Sequence, residues 1–141
     1  MSMERFVSAQ SMMYETALSE IRGGRKKSHW MWYIFPQIAG LGMSSMAQYY
    51  AIADLAEAKE YIQHSLLGPR LIEISNALLT LEGNNPTMLM GYPDDMKLRS
   101  SMTLFMLAAP EESVFKKVID KYYGGETDKR TIELLNQRKK Y

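Results

Sequence analysis

Gly23-Gly24-Arg25-Lys26-Lys27-Ser28-His29-Trp30-Met31-Trp32-Tyr33-Ile34-Phe35-Pro36-Gln37 holds a helix stop, a helix cap and a second stop in quick succession. A glycine pair closes a helix because glycine adopts the left-handed turn that ends one. Ser28 is suited to cap a short aromatic helix, since its hydroxyl can accept from an early backbone N–H. Pro36 disfavours helical geometry in the residue before it, so that helix ends by Phe35. Upstream, Phe6, Ala9, Gln10, Met13, Ala17 and Ile21 recur at helical spacing and run into the glycine stop.

The same punctuation continues. Gln37 to Gly42 reads as a loop with two glycines, and Ser44 or Ser45 can cap a helix through Met46, Tyr49 and Tyr50. Asp54 with Glu57 resembles a capping box. Gly68-Pro69 breaks and restarts the chain, with proline suited to a first turn. Leu67, Leu71, Ile74, Leu78 and Leu81 then form an apolar stripe. A turn at Gly83 to Pro86 precedes a short Met-rich helical turn to Gly91. Asp94 and Asp95 favour the positive end of a helix that Pro110 stops. Glu111 and Glu112 open the next, Gly124-Gly125 ends it, and Asp128 can cap a last one before Arg138-Lys139-Lys140. No segment sustains strand alternation. The pattern predicts an all-α fold: one compact domain over residues 1–141, with about seven to eight short helices packed orthogonally. Helices this short are marginal alone, so burial must stabilise them.

Composition narrows the function. The chain has 141 residues, 46% of them hydrophobic, and a formal net charge of +1. A field that weak does not favour nucleic acid or an anionic membrane. The absence of cysteine removes disulfides, thiolate nucleophiles and cysteine metal sites. With two histidines, His29 and His64, a multi-histidine metal site within one chain is not expected, and no cofactor is called for. No apolar run approaches the roughly 20 residues that span a bilayer. The opening Met-Ser-Met-Glu-Arg has no signal-peptide core, so the expectation is a cytoplasmic protein. Phosphate-loop, dinucleotide, hydrolase-elbow and zinc-protease motifs are all missing.

Three clusters could carry chemistry. In the first, Arg25, Lys26 and Ser28 would hold phosphate or carboxylate, and Trp30, Trp32 or Tyr33 would stack a ring. His29 would transfer a proton near neutral pH, and Gln37 closes the cluster. The competing reading buries the aromatics as core and leaves the cations in water. In the second cluster, Lys97, Arg99 and Ser100 form a polar run in an otherwise apolar helix. They would line a cleft, or else the serines serve only close helix packing. The third is Asp120 to Gly125 with Asp128, where the glycines form either a helix cap or a backbone approach to ligand.

Several strings resemble the bacterial domain-of-unknown-function family 1810. They are Arg5-Phe6 with Ala9-Gln10, Gly24-Arg25-Lys26, Ser28 to Trp32, Phe35-Pro36-Gln37 and Gly40-Leu41-Gly42. Ala47-Gln48, Leu67 to Leu71, Asp94 to Leu98, Ser100 to Phe105 and Tyr123-Gly124-Gly125 continue the likeness over nearly the whole chain. The resemblance implies a compact all-helical fold and no settled activity. A weaker similarity is to the NADAR family, linked to NAD and ADP-ribose chemistry. Glu4, Phe6, Ala9 and Gln10 look like its opening string. Asp120, Tyr122, Tyr123 and Gly124 look like its closing one, with Tyr123 where that family has tryptophan.

Together these point to a nucleotide- or ADP-ribose-type ligand, with N-glycosidic cleavage as the implied hydrolase chemistry. The catalytic candidates are His29, Glu4 and Asp120. The ligand-binding candidates are Arg25, Lys26, Ser28, Trp30, Trp32, Gln37, Lys97, Arg99, Ser100 and Tyr123. The alternative is a non-enzymatic module that docks a protein on its Trp- and Met-rich surface. Single-stranded nucleic acid is a third option, against which the small net charge argues.

Overall fold

A computed structural model describes residues 3–138. Among the described residues there are nine helices. They are α1 (Glu4–Arg22), α2 (Met31–Ile34), α3 (Ser45–Tyr49), α4 (Leu55–Gln63) and α5 (Leu67–Leu79), then α6 (Pro86–Met90), α7 (Asp94–Ala108), α8 (Val114–Tyr123) and α9 (Lys129–Arg138). The fold is all-α, as the sequence predicts. The count exceeds seven to eight because α2, α3 and α6 are separate helices of only four or five residues. The other pairing is one isolated parallel bridge, Ile38 to Ile52, between two loops.

Local chemistry accounts for most boundaries. Asp54 accepts from the Glu57 N–H at 2.9 Å and starts α4. Asn85 accepts from Thr87 and Met88 N–H groups, with Pro86 at the first position of α6. Gly124 takes the left-handed conformation (φ 61°) that ends α8, a position costly for any side chain. His64 accepts the Leu66 and Leu67 N–H groups through Nδ1, so its role is to cap α5. One expected cap does not form: α2 starts after Trp30 without a side-chain cap, because Ser28 is engaged elsewhere.

The core is tied by a run of aromatic contacts through four helices. Phe6 of α1 meets Tyr61 of α4 edge-on at 5.0 Å, Tyr61 lies 5.3 Å from Phe105 of α7, and Phe105 lies 6.0 Å from Phe115 of α8. Helix α7 is the spine: Leu98 and every residue from Ser100 through Phe105 are buried, while Arg99 is partly exposed. A helix enclosed on most sides must let its neighbours close in, and the small Ser100 and Ser101 permit that. Gln10, buried in α1, donates to the Tyr33 carbonyl at 2.8 Å and the Tyr61 hydroxyl at 2.9 Å, so its amide stabilises the core rather than facing solvent.

The turn between α4 and α5 depends on a missing side chain. A Cβ on Gly68 would sit 1.9 Å from the Ile62 carbonyl oxygen, far inside van der Waals contact. Alanine normally gains up to about 1 kcal/mol over glycine within a helix. Here the collision exceeds that gain, because backbone must move and overpacking costs about 1–3 kcal/mol. Gly68→Ala is therefore expected to lower the urea midpoint with little change in slope. A midpoint equal to wild type or higher would disprove the tight crossing.

Candidate functional site

The site grows from the end of α1. After Gly23 and Gly24 the chain turns back, and the Glu20 carboxylate gathers it. Oε1 accepts the Lys27 N–H at 2.7 Å, the Ser28 N–H at 2.9 Å and the Trp30 indole N–H at 2.9 Å. Oε2 accepts the Ser28 hydroxyl at 2.5 Å. Burial pulls the Glu20 pKa upward, but these donors outweigh it and hold the carboxyl at about 2. Ser28 thus serves a carboxylate instead of a helix cap. Glu20 is not among the residues the sequence points to, because a glutamate on a polar helix face gives no sign of what it binds.

The clamp decides the fate of the two tryptophans. Trp30 is turned inward and is fully buried, beside Phe35 at 6.1 Å and under the Lys26 ammonium at 4.9 Å. With no exposed face it cannot stack a ligand, which corrects its expected role. Trp32, two residues on in α2, is only partly buried, and the Lys97 ammonium lies 5.5 Å from its ring centre.

Trp32 lines a cleft of about 280 Å³ with Lys26, Lys27, Ser28, His29, Met31, Tyr92, Pro93 and Asp94. The far wall is the start of α7. Asp94 binds the Lys26 ammonium at 2.9 Å and that of Lys97 at 3.5 Å. Lys26 also donates to the Ser28 carbonyl, and its backbone N–H donates to Leu89. Its ammonium is largely buried and neutralised, so Lys26 acts first as a pin between the loop and α7. Lys27 and His29 are exposed.

The remaining expected residues lie elsewhere. Arg25 is exposed but does not line the cleft, and Gln37 uses its carbonyl to accept from Ile52 at the bridge. Ser100 is buried and donates back to the Met96 carbonyl, as a packing serine would. The cleft expected along Lys97, Arg99 and Ser100 together is therefore not formed. Glu4 starts α1, about 24 Å along the helix from Glu20. Asp120 pairs with Lys116 on the outer face of α8. Arg99 and Tyr123 sit together, with the Arg99 guanidinium 5.6 Å from the Tyr123 ring centre, beside a different cleft.

Of the three acid–base candidates, the structure brings His29 to the Trp32 cleft. The cleft adds Lys27, Tyr92 and Asp94 to the expected residues. Asp94 reads in sequence only as a helix-start acid, which hides its double ion pair.

Comparison with known proteins fits this fold. The profile of the proteins of unknown function DUF1810 matches residues 1–135. The chain belongs to the DUF1810 family. The crystal structure of the conserved hypothetical protein Rv1873 from Mycobacterium tuberculosis, at 1.38 Å, superposes with a TM-score of 0.93 and 47% sequence identity. The match covers 95% of this DUF1810 chain and 96% of that one. No curated protein matches the chain. Among the described residues, no helix is long and apolar enough to cross a membrane.

The Glu20 clamp predicts a pH dependence. Its folded pKa of about 2 lies below the ordinary 4.5, so its stabilisation is complete above pH 4.5 and is lost as pH falls towards 2. Glu20→Gln replaces an acceptor with an amide that must offer donors to donors. It should cost about 2 kcal/mol at pH 7 and flatten the fall in stability between pH 4.5 and 2. Urea denaturation across that range, with the Glu20 carboxyl followed by carbon-13 NMR, checks both. A normal carboxyl titration near 4.5 would refute the clamp.

Proposed function

We propose that the Trp32 cleft binds a small anionic ligand carrying a flat ring, of the nucleotide or ADP-ribose type. The observation that carries this reading is the pairing of a partly exposed indole with ammonium groups at one cleft. Trp32 stands beside Lys97 at 5.5 Å, with Lys27 and His29 on the same walls. An indole face attracts a ring by stacking, and lysines attract phosphate as compact charges. The volume of about 280 Å³ lies near the lower end for small-molecule sites. It suits one ring with a phosphate, and a longer ligand would extend over Tyr92.

The chemistry within reach of this arrangement is cleavage of an N-glycosidic bond. Water adds to the anomeric carbon and releases a proton to solvent, the bonding pair leaves with the nitrogen, and His29 passes that nitrogen a proton. Glu4 and Asp120 have no part in this reading, because they stand away from the cleft. The weaker likeness to NADAR proteins supports the ligand class.

A docking role for the same face has one specific support. Met88, Tyr92 and Met96 are exposed by 77%, 76% and 48% around the start of α7. Apolar groups clustered on a surface favour a protein partner.

Titration with ADP-ribose, NAD and AMP decides between the two. Tryptophan fluorescence should change saturably with ADP-ribose, reporting Trp32 since Trp30 is buried. By calorimetry, Trp32→Ala should weaken binding roughly tenfold or more, and Lys97→Gln roughly tenfold. A flat response of the wild-type protein to all three ligands would reject the ligand reading in favour of docking.

A further inference from the structure

On the opposite face of α7 lies a second cleft, of about 440 Å³, between Arg99 and the loop from Gly125 into α9. Residues 94 and 97 point one way from the helix, and residue 99 lies roughly 140–160° around it. The Trp32 cleft and this one are therefore separate, and the inference does not rest on the proposed function. We propose that this second cleft binds the phosphoryl group of a small molecule, with Arg99 as its principal ligand.

The argument starts from an arginine without an acceptor. Arg5, Arg70, Arg99 and Arg138 are the described arginines that are not fully exposed. Arg5 donates to the Tyr49 and Ala51 carbonyls, Arg70 to Gln10, and Arg138 to the Ala39 carbonyl. The Arg99 guanidinium makes no hydrogen bond or ion pair with any described residue, and its Nε–H is out of solvent with no acceptor. A charged donor removed from water without a partner is costly, and native structures rarely leave one so.

The guanidinium is nonetheless held in place. It lies over the Tyr123 ring, and Tyr123 is anchored by its hydroxyl, which donates to the Asp95 carbonyl at 2.5 Å. A contact over the ring uses no N–H, so the Nη groups remain to receive a fork of oxygens. A group positioned in advance loses little entropy on binding.

The rest of the cleft selects the ligand. Lys129 adds positive charge and the Thr127 hydroxyl a hydrogen-bonding group, while Arg130 is paired with Glu133 at 3.3 Å. Of the carboxylates, Asp128 is committed to the Thr131 N–H and hydroxyl, while Glu126 is exposed. Because Asp128 already caps α9, the free helix end is not what makes this site. Among the described residues no aromatic lines the cleft, and the Tyr123 ring lies under Arg99. The cleft therefore reads charge and oxygen geometry, not a ring. A tetrahedral phosphoryl group meets three needs together: a forked contact to Arg99, a point charge at Lys129 and a hydroxyl at Thr127.

Inorganic phosphate and pyrophosphate are the probes, used on the full chain at low salt. In the wild-type protein the Arg99 Nε–H resonance should shift saturably on addition of either. By calorimetry, Arg99→Gln should weaken binding roughly ten- to hundredfold, as expected for lost charged hydrogen bonds. Arg99→Lys should recover only part, since it keeps charge and loses the fork. Lys129→Gln, at an exposed position, should weaken binding several-fold without risk to the fold, and Trp32→Ala should leave it unchanged. An Arg99 resonance that does not move, or equal affinity in wild type and Arg99→Gln, would overturn the proposal. A loss of phosphate binding in Trp32→Ala would overturn it too, by placing the anion in the other cleft.

Discussion

One carboxylate organises the side of the molecule where the Trp32 cleft lies. Glu20 is the acceptor for two backbone N–H groups, a hydroxyl and an indole N–H, all from residues 27–30. A loop leaving a glycine stop has many conformations open to it, and ordering each residue costs about 1–2 kcal/mol of backbone entropy. An ionised acceptor with four donors is among the stronger local ways to offset that cost. Its consequence reaches the core. Once the Trp30 indole N–H is satisfied, the large ring can be buried without an orphan donor. Trp32, two residues on and so on the other side of α2, is left for the cleft.

Helix α7 is the second organising element, and its demands differ along its length. Its middle must be small or apolar because it is enclosed by α4, α8 and α9. Its first turns escape that enclosure and hold the charged groups: Asp94 and Lys97 towards the Trp32 cleft, Arg99 towards the loop before α9. The same short stretch thus forms a wall of both clefts. It anchors one through the Lys26 ion pair and the other through the Tyr123 hydroxyl bond to the Asp95 carbonyl. A shift of this stretch would be felt on both faces.

The two clefts differ in what they can recognise. The first has an indole and an ion-paired carboxylate, so charge there is partly balanced and shape matters. The second has a guanidinium that makes no ion pair with any described residue, so charge dominates. The second and third sequence clusters, read apart, meet here: Arg99 comes from one, and Tyr123, Gly125 and Asp128 from the other. Their meeting depends on how α7, α8 and α9 pack, which no spacing within either cluster encodes.

What the sequence determined by itself is the helical punctuation and hence the all-α class. The cap at Asp54, the stops at Gly23 and Gly124, and the start at Asp94 act across three or four neighbouring residues. Their chemistry is complete within a window of sequence. The region of the first cleft was legible for the same reason, because Lys26 to Trp32 is contiguous. Only the tertiary structure decided which groups are free to act. Trp30 and Trp32 look equivalent in sequence, yet Glu20 buries one and leaves the other in the cleft. Lys26 looks like an open cation until Asp94 neutralises it, Ser28 looks like a cap until Glu20 claims it, and Arg99 is distinguished only by lacking an acceptor. Burial and partnership are set by residues far apart along the chain, and for a charged or aromatic side chain they separate a structural role from a chemical one.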